Sequence, residues 1–222
     1  MDTIRSCSNA DLNPLQSDSP RAWDELIEAV GPASLLVVIE SRMSAALRRQ
    51  ITPEDILQDA LLHAWRDREK CEWRGVHGFR SWLLSIIDNR IREAADRQSA
   101  LKRGGGKAPL PIHHTSGSGS DWGPAGSTTP SRVAIYREQC DAMRAALETV
   151  PEEFREVLRL RLYEQLSLEQ IAERLEIGLY ASRHRFRKGS EIYYERLRAE
   201  FTSRSLPLPT LGAPVNGGDS SP

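Results

Sequence analysis

Between Gly104 and Pro130 the chain is dominated by Gly, Pro, Ser and Thr, with few aliphatic residues and no hydrophobic period. That is the composition of a flexible connector, and it divides the 222 residues into two halves, each long enough for a small domain. A second low-complexity stretch from Ser203 to Pro222 reads as a tail, and the first 20 residues as a loose extension. The expected organisation is an extension over 1–20, a domain over 21–103, a linker over 104–132, a second domain over 133–201 and a tail over 202–222.

Both halves carry helical signals. In the first, Thr52-Pro53-Glu54-Asp55 supplies an N-cap, a proline at the first helical position and an acid three residues after the cap. Ile56, Leu57, Ala60, Leu61, Ala64 and Trp65 then follow at helical spacing. A second amphipathic helix is predicted from Phe79, Trp82, Leu83, Ile86, Ile87, Ile91, Ala94 and Ala95. Ahead of these, Trp23 to Val30 and Leu35 to Leu47 are helical candidates. In the second half, Arg137 to Val150 and Pro151 to Tyr163 read as two helices, the latter with Glu152 and Glu153 in its first turn, where acids favour the helix dipole. Ser167 and Gln170 form a capping box for a short helix carrying Ile171, Ala172 and Leu175; Gly178 falls in a brief turn; a longer helix carries Leu179, Phe186, Tyr193 and Leu197. No stretch alternates with period two, so the fold class is all-α, with two small helical domains.

Composition narrows the function. The longest apolar run, Leu35 to Ile39, falls far short of the roughly 20 residues of a membrane span, and the N-terminus lacks a signal-peptide pattern, so a cytoplasmic location is expected. Cys7, Cys71 and Cys140 form no CxxC pair and have no histidine at ligand spacing, so neither a disulfide framework nor a metal site is expected. No Gly-rich phosphate loop, GxSxG or HExxH occurs, and His113 and His114 sit in the linker; no catalysis and no cofactor are expected.

The net charge of −1 does not argue against nucleic acid, because phosphate binding depends on local clusters. From Ile177 to Ser190 no acid occurs while Arg183, Arg185, Arg187 and Lys188 accumulate. A short helix, a tight turn and a second helix with a basic face is the arrangement that lays the second helix in the major groove. Arg183 and Arg187 share a face, Arg185 and Lys188 can reach flanking phosphates, and an exposed charged helix in a bundle is the plainer alternative.

The segment Val150 to Gly189, VPEEFREVLRLRLYEQLSLEQIAERLEIGLYASRHRFRKG, resembles the C-terminal promoter-reading domain of extracytoplasmic-function sigma factors of the sigma-70 family. Glu54 to Arg66, EDILQDALLHAWR, and Phe79 to Arg97, FRSWLLSIIDNRIREAADR, are similar to helices of that family's N-terminal domain, in the same order. The resemblance implies core RNA polymerase and promoter DNA as partners and leaves control by an anti-sigma protein open. By position it assigns Asp55, Gln58 and Asp59 to the polymerase and Arg80, Asn89, Arg90 and Arg92 to the melted proximal promoter element. Arg183, Arg185, Arg187 and Lys188 fall to the distal element in duplex form. Trp82 and Trp65 are expected in the core instead, from their spacing.

The sequence departs from the family where Glu176 stands for a usual glycine and Ser182 for an aliphatic residue, which puts the turn and the seating of the recognition helix in question. Asp88 and Asp96 stand where basic residues are common. A stand-alone helix-turn-helix regulator and a sigma-like protein with degraded promoter reading stay open as alternatives, although no apolar heptad seam for dimerisation is visible.

Overall fold

The computed structural model describes residues 13–17, 19–102 and 129–207; among them there are nine α-helices and no strand. The first half holds α1 (Pro20–Val30), α2 (Pro32–Arg42), α3 (Ala45–Arg48), α4 (Pro53–Arg66) and α5 (Gly75–Lys102). The second holds α6 (Pro130–Glu148), α7 (Glu152–Leu158), α8 (Leu168–Arg174) and α9 (Leu179–Ser203). Most of the expected linker lies outside the described residues, but its last part does not: α6 opens on Pro130 at its first turn, ahead of the expected boundary at Val133.

Local chemistry explains most boundaries. Gly31, at φ +74°, ends α1 and starts α2 within one residue, a junction that a side chain would strain. The predicted helix over Leu35 to Leu47 is broken in two, because Ser44 turns its hydroxyl back to accept from the Leu47 amide at 3.2 Å and starts α3. α7 does not run on regularly to Tyr163; it continues as a π-turn over Arg159–Tyr163. The N-terminal extension is anchored in part: Leu15, in a single 3-10 turn at Pro14–Gln16, is 3% exposed and joins the core.

The two domains pack on each other. α2 is buried nearly all round, from Pro32 to Glu40, because it lies against α4 and α5 of its own half and against α6 and the π-turn of the other. The run Leu35 to Ile39 is therefore the hinge of the whole core rather than one face of an amphipathic helix, and the apolar cluster is continuous from Trp23 through Met143 to Phe201. Glu40 is buried in this seam, where its carboxylate takes Arg144 Nη1 at 2.6 Å and Arg137 Nη1 at 3.7 Å. A separate small cluster of Val157, Leu160 and Ile171 holds α7, the π-turn and α8 together under Phe186 of α9.

Candidate nucleic-acid interface

α8, the turn and α9 form the helix-turn-helix arrangement. The Ser167 hydroxyl accepts from the Gln170 amide at 3.2 Å and the Gln170 side chain accepts from the Ser167 amide at 2.8 Å, so the expected capping box is present. The turn closes as the two-bond C-terminal motif usually built on glycine: the Glu176 amide donates to Glu173 O at 3.2 Å and the Ile177 amide to Ala172 O at 2.9 Å. Glu176 adopts the left-handed conformation at φ +53°, so the turn keeps its shape and the departure from glycine is absorbed as local strain of about 1 kcal/mol. Ser182 is fully buried and donates from Oγ to Leu168 O at 3.1 Å. α9 is thus seated on α8 by a hydrogen bond where an aliphatic side chain would use van der Waals contact.

The inward face of α9 carries Ser182, Gly189, Tyr193, Leu197 and Phe201. At Gly189 an added Cβ would meet Phe154 Cβ at 2.8 Å, which brings α9 close against α7. The outward face presents Tyr180, Arg183, His184, Arg187 and Lys188, all exposed, with Arg185 half-buried beside them. Arg183 lies 3.8 Å from Glu169 and Lys188 3.6 Å from Glu191, both as solvent-exposed pairs that hold the cations only weakly. Tyr180 and His184 are additions to the expected set. The signal that finds them is the helical stripe through Arg183 and Arg187, which passes through both.

On α4 the expected docking residues share one outer face, with different commitments. Asp55 is exposed, and its carboxylate accepts the Thr52 amide at 3.1 Å and the Thr52 hydroxyl at 2.7 Å, the carboxylate arm of the capping box. Gln58 is exposed, and Asp59 is half-buried with its carboxylate 3.6 Å from the His63 ring. Glu54 beside them is taken by Arg137 of the second half at 2.6 Å.

The four α5 residues separate into two pairs. Asn89 and Arg92 are exposed, joined by a 3.1 Å hydrogen bond. Arg90 is turned along the helix, with Nη1 at 2.9 Å from His63 Nε2 and Nη2 on Glu93. Arg80 departs most from the expectation, since it is 2% exposed, and its guanidinium donates to Val30 O and, at 2.8 Å, to Tyr163 O. It ties the two domains together, and burial pulls its pKa down to about 10, so it stays charged at neutral pH. In this arrangement it cannot reach DNA. Asp88 is also committed, to Arg42 at 2.7 Å; Arg42 in turn reaches Glu164 of the second domain at 3.2 Å. Trp82 is half-buried against the core with its ring centroid 5.7 Å from that of Phe79, and Trp65 packs against Trp23 at 5.1 Å.

Among the described residues no helix is long and apolar enough to cross a membrane, and no cluster of His, Cys, Asp or Glu is arranged to hold a metal ion.

Comparison with family models matches residues 35–100 to sigma-70 region 2 and residues 146–183 to sigma-70, region 4. The first match spans α2 to α5 and the second runs from the end of α6 to the first turns of α9. The chain carries both regions in order, as sigma factors of the sigma-70 family do. No curated protein matches it.

Proposed function

We propose that this protein is a sigma-70 family factor of the extracytoplasmic-function type, which directs core RNA polymerase to specific promoters and starts transcription without catalysing a reaction itself. The observation that carries this reading is the pairing, on one chain, of an outward acid-and-amide face on α4 with an outward basic face on α9. A stand-alone DNA-binding regulator has use for the second alone.

In this reading Gln58 and Asp59, with Asp55 fixing the start of the helix, meet a basic surface of the polymerase. Arg183, Arg187 and Lys188 hold the phosphates of the distal promoter element, and Arg185 supports them from the side. Asn89 and Arg92 are the α5 residues open to a melted strand. Arg90 joins them by giving up Glu93, and Arg80 does so only once the domains part. Replacing Arg183 and Arg187 together by Ala is expected to weaken promoter binding by holoenzyme and to reduce the steepness of its salt dependence by about two charges' worth. An unchanged salt slope in a gel shift would remove α9 from the DNA contact.

A further inference from the structure

One prominent side chain of α9 is used neither by the fold nor by the basic contacts. Tyr180, the second residue of the helix, is 84% exposed, the most exposed large apolar side chain among the described residues. The other Phe and Tyr rings of α9, Phe186, Tyr193, Tyr194 and Phe201, are buried or half-buried. The Tyr180 ring and hydroxyl have no partner among the described residues, so packing does not call for an aromatic residue there. Helix formation does not call for it either, since the first turn of a helix favours acids and small polar side chains, and this one has no acid.

Its position is defined by the helix. Tyr180, Arg183, His184 and Arg187 stand at i, i+3, i+4 and i+7 and line one exposed stripe. In a recognition helix that enters the major groove, the N-terminal residues approach the base edges. At about 1.5 Å rise per residue, Tyr180 lies roughly 10 Å along the axis from Arg187, about three base steps away. The ring carries no charge for phosphate binding, and a phosphate contact by the hydroxyl would be lost in Tyr180→Phe while a contact by the ring would not. What it offers the groove is an apolar face, and the apolar group displayed there is the 5-methyl of thymine.

We propose that Tyr180 is a base-reading residue of this protein, which recognises a thymine methyl in the distal promoter element through its ring. The proposal rests on the sigma-factor reading given above, with duplex DNA as the occupant of the stripe because two of its other three residues, Arg183 and Arg187, are arginines.

The test uses the full chain assembled with core RNA polymerase and a duplex library randomised over the distal element. Holoenzymes with wild-type protein, Tyr180→Ala, Tyr180→Phe and Arg187→Ala are each put through selection, and every selected thymine is then replaced singly by deoxyuridine, which lacks only the methyl. Wild type is expected to select a thymine about three base pairs from the position that Arg187→Ala relaxes, and to bind about fourfold more weakly when that base is deoxyuridine, the value of one methyl-sized group at about 0.8 kcal/mol. Tyr180→Phe keeps this sensitivity. Tyr180→Ala loses it, binds thymine and deoxyuridine equally, and retains the wild-type salt slope.

Wild-type preference at every position in Tyr180→Ala would overturn the proposal. So would loss of polymerase binding in that variant with base preference intact, which would make Tyr180 a protein contact. If wild-type holoenzyme forms but selects no sequence at all, the promoter-reading function itself fails, an outcome distinct from failure at Tyr180 alone.

Discussion

Replacing Arg80 by Met tests how the two domains are held together. The substitution keeps an unbranched chain of similar length while removing the guanidinium, and with it the hydrogen bonds to Val30 O and Tyr163 O, which lie 50 and 83 residues away in sequence. Hydrogen bonds to a charged group contribute about 1.5–3 kcal/mol each, so the loss is roughly 3–6 kcal/mol. Against it stands relief of the desolvation that pulls the Arg80 pKa down to about 10, a relief on the order of 3 kcal/mol. Packing by the thioether chain recovers little more, because the stem of the arginine is already buried. The difference runs from about 0 to 3 kcal/mol, and its midpoint, about 1.5 kcal/mol of net destabilisation, corresponds to a fall in Tm of about 3–6 °C for a chain of this size. The assay is thermal unfolding followed by circular dichroism, with small-angle scattering to detect separation of the domains. A variant as stable and compact as wild type would refute the reasoning, since the desolvation of a buried guanidinium would then have cancelled everything its hydrogen bonds contribute.

Three further outcomes follow from particular contacts. Gly189→Ala is expected to destabilise the second domain by about 1–3 kcal/mol, because its Cβ would meet Phe154 Cβ at 2.8 Å, backed by Leu158 at 3.1 Å; urea unfolding checks it, and an unshifted midpoint would mean that α9 and α7 part without cost. Glu176→Gly is expected to raise stability by up to about 1 kcal/mol, the relief of a left-handed non-glycine residue less the backbone entropy of glycine, with promoter binding unaltered; a lower Tm would contradict it. Burial pushes the Cys140 thiol up to about 12 from its ordinary 9.0, so the native state holds its proton where the unfolded chain loses it. The stability from this group is complete below pH 9.0 and is lost at about 1.4 kcal/mol per pH unit as pH rises from there through 12, a slope that Cys140→Ala should reduce in urea titrations at pH 8 and above pH 10.

What could be read in the sequence was local. The capping boxes at Thr52–Asp55 and Ser167–Gln170 each lie within four residues, and both are present in the structure. The periodic helices α4, α5 and α9 follow from spacing alone, as does the exposure of Arg183, Arg187 and Lys188. What could not be read was non-local. Arg80 looks like any arginine on an amphipathic helix until Val30 and Tyr163 bring their carbonyls to it from distant parts of the chain. The run Leu35 to Ile39 shows that α2 is apolar, but only the arrival of α6 explains why it is apolar on every side. Leu15 is a single apolar residue without a period, so its burial leaves no local signature. At Glu176 and Ser182 the sequence points to the right positions; the structure supplies what a pattern cannot, a strained turn in one case and a hydroxyl anchored on Leu168 O in the other.

The most direct measurement of the central claim is binding of the purified chain to core RNA polymerase, compared with the double variant Gln58→Ala/Asp59→Ala. This pair spares Asp55, whose carboxylate caps α4, so the helix should fold in both proteins. Stable assembly by wild type, lost or weakened at least tenfold in the variant while duplex DNA binding persists, is the result expected of a sigma factor that docks through α4. Assembly by neither protein, with duplex DNA still bound by both, would contradict it and leave a DNA-binding regulator that works without the polymerase.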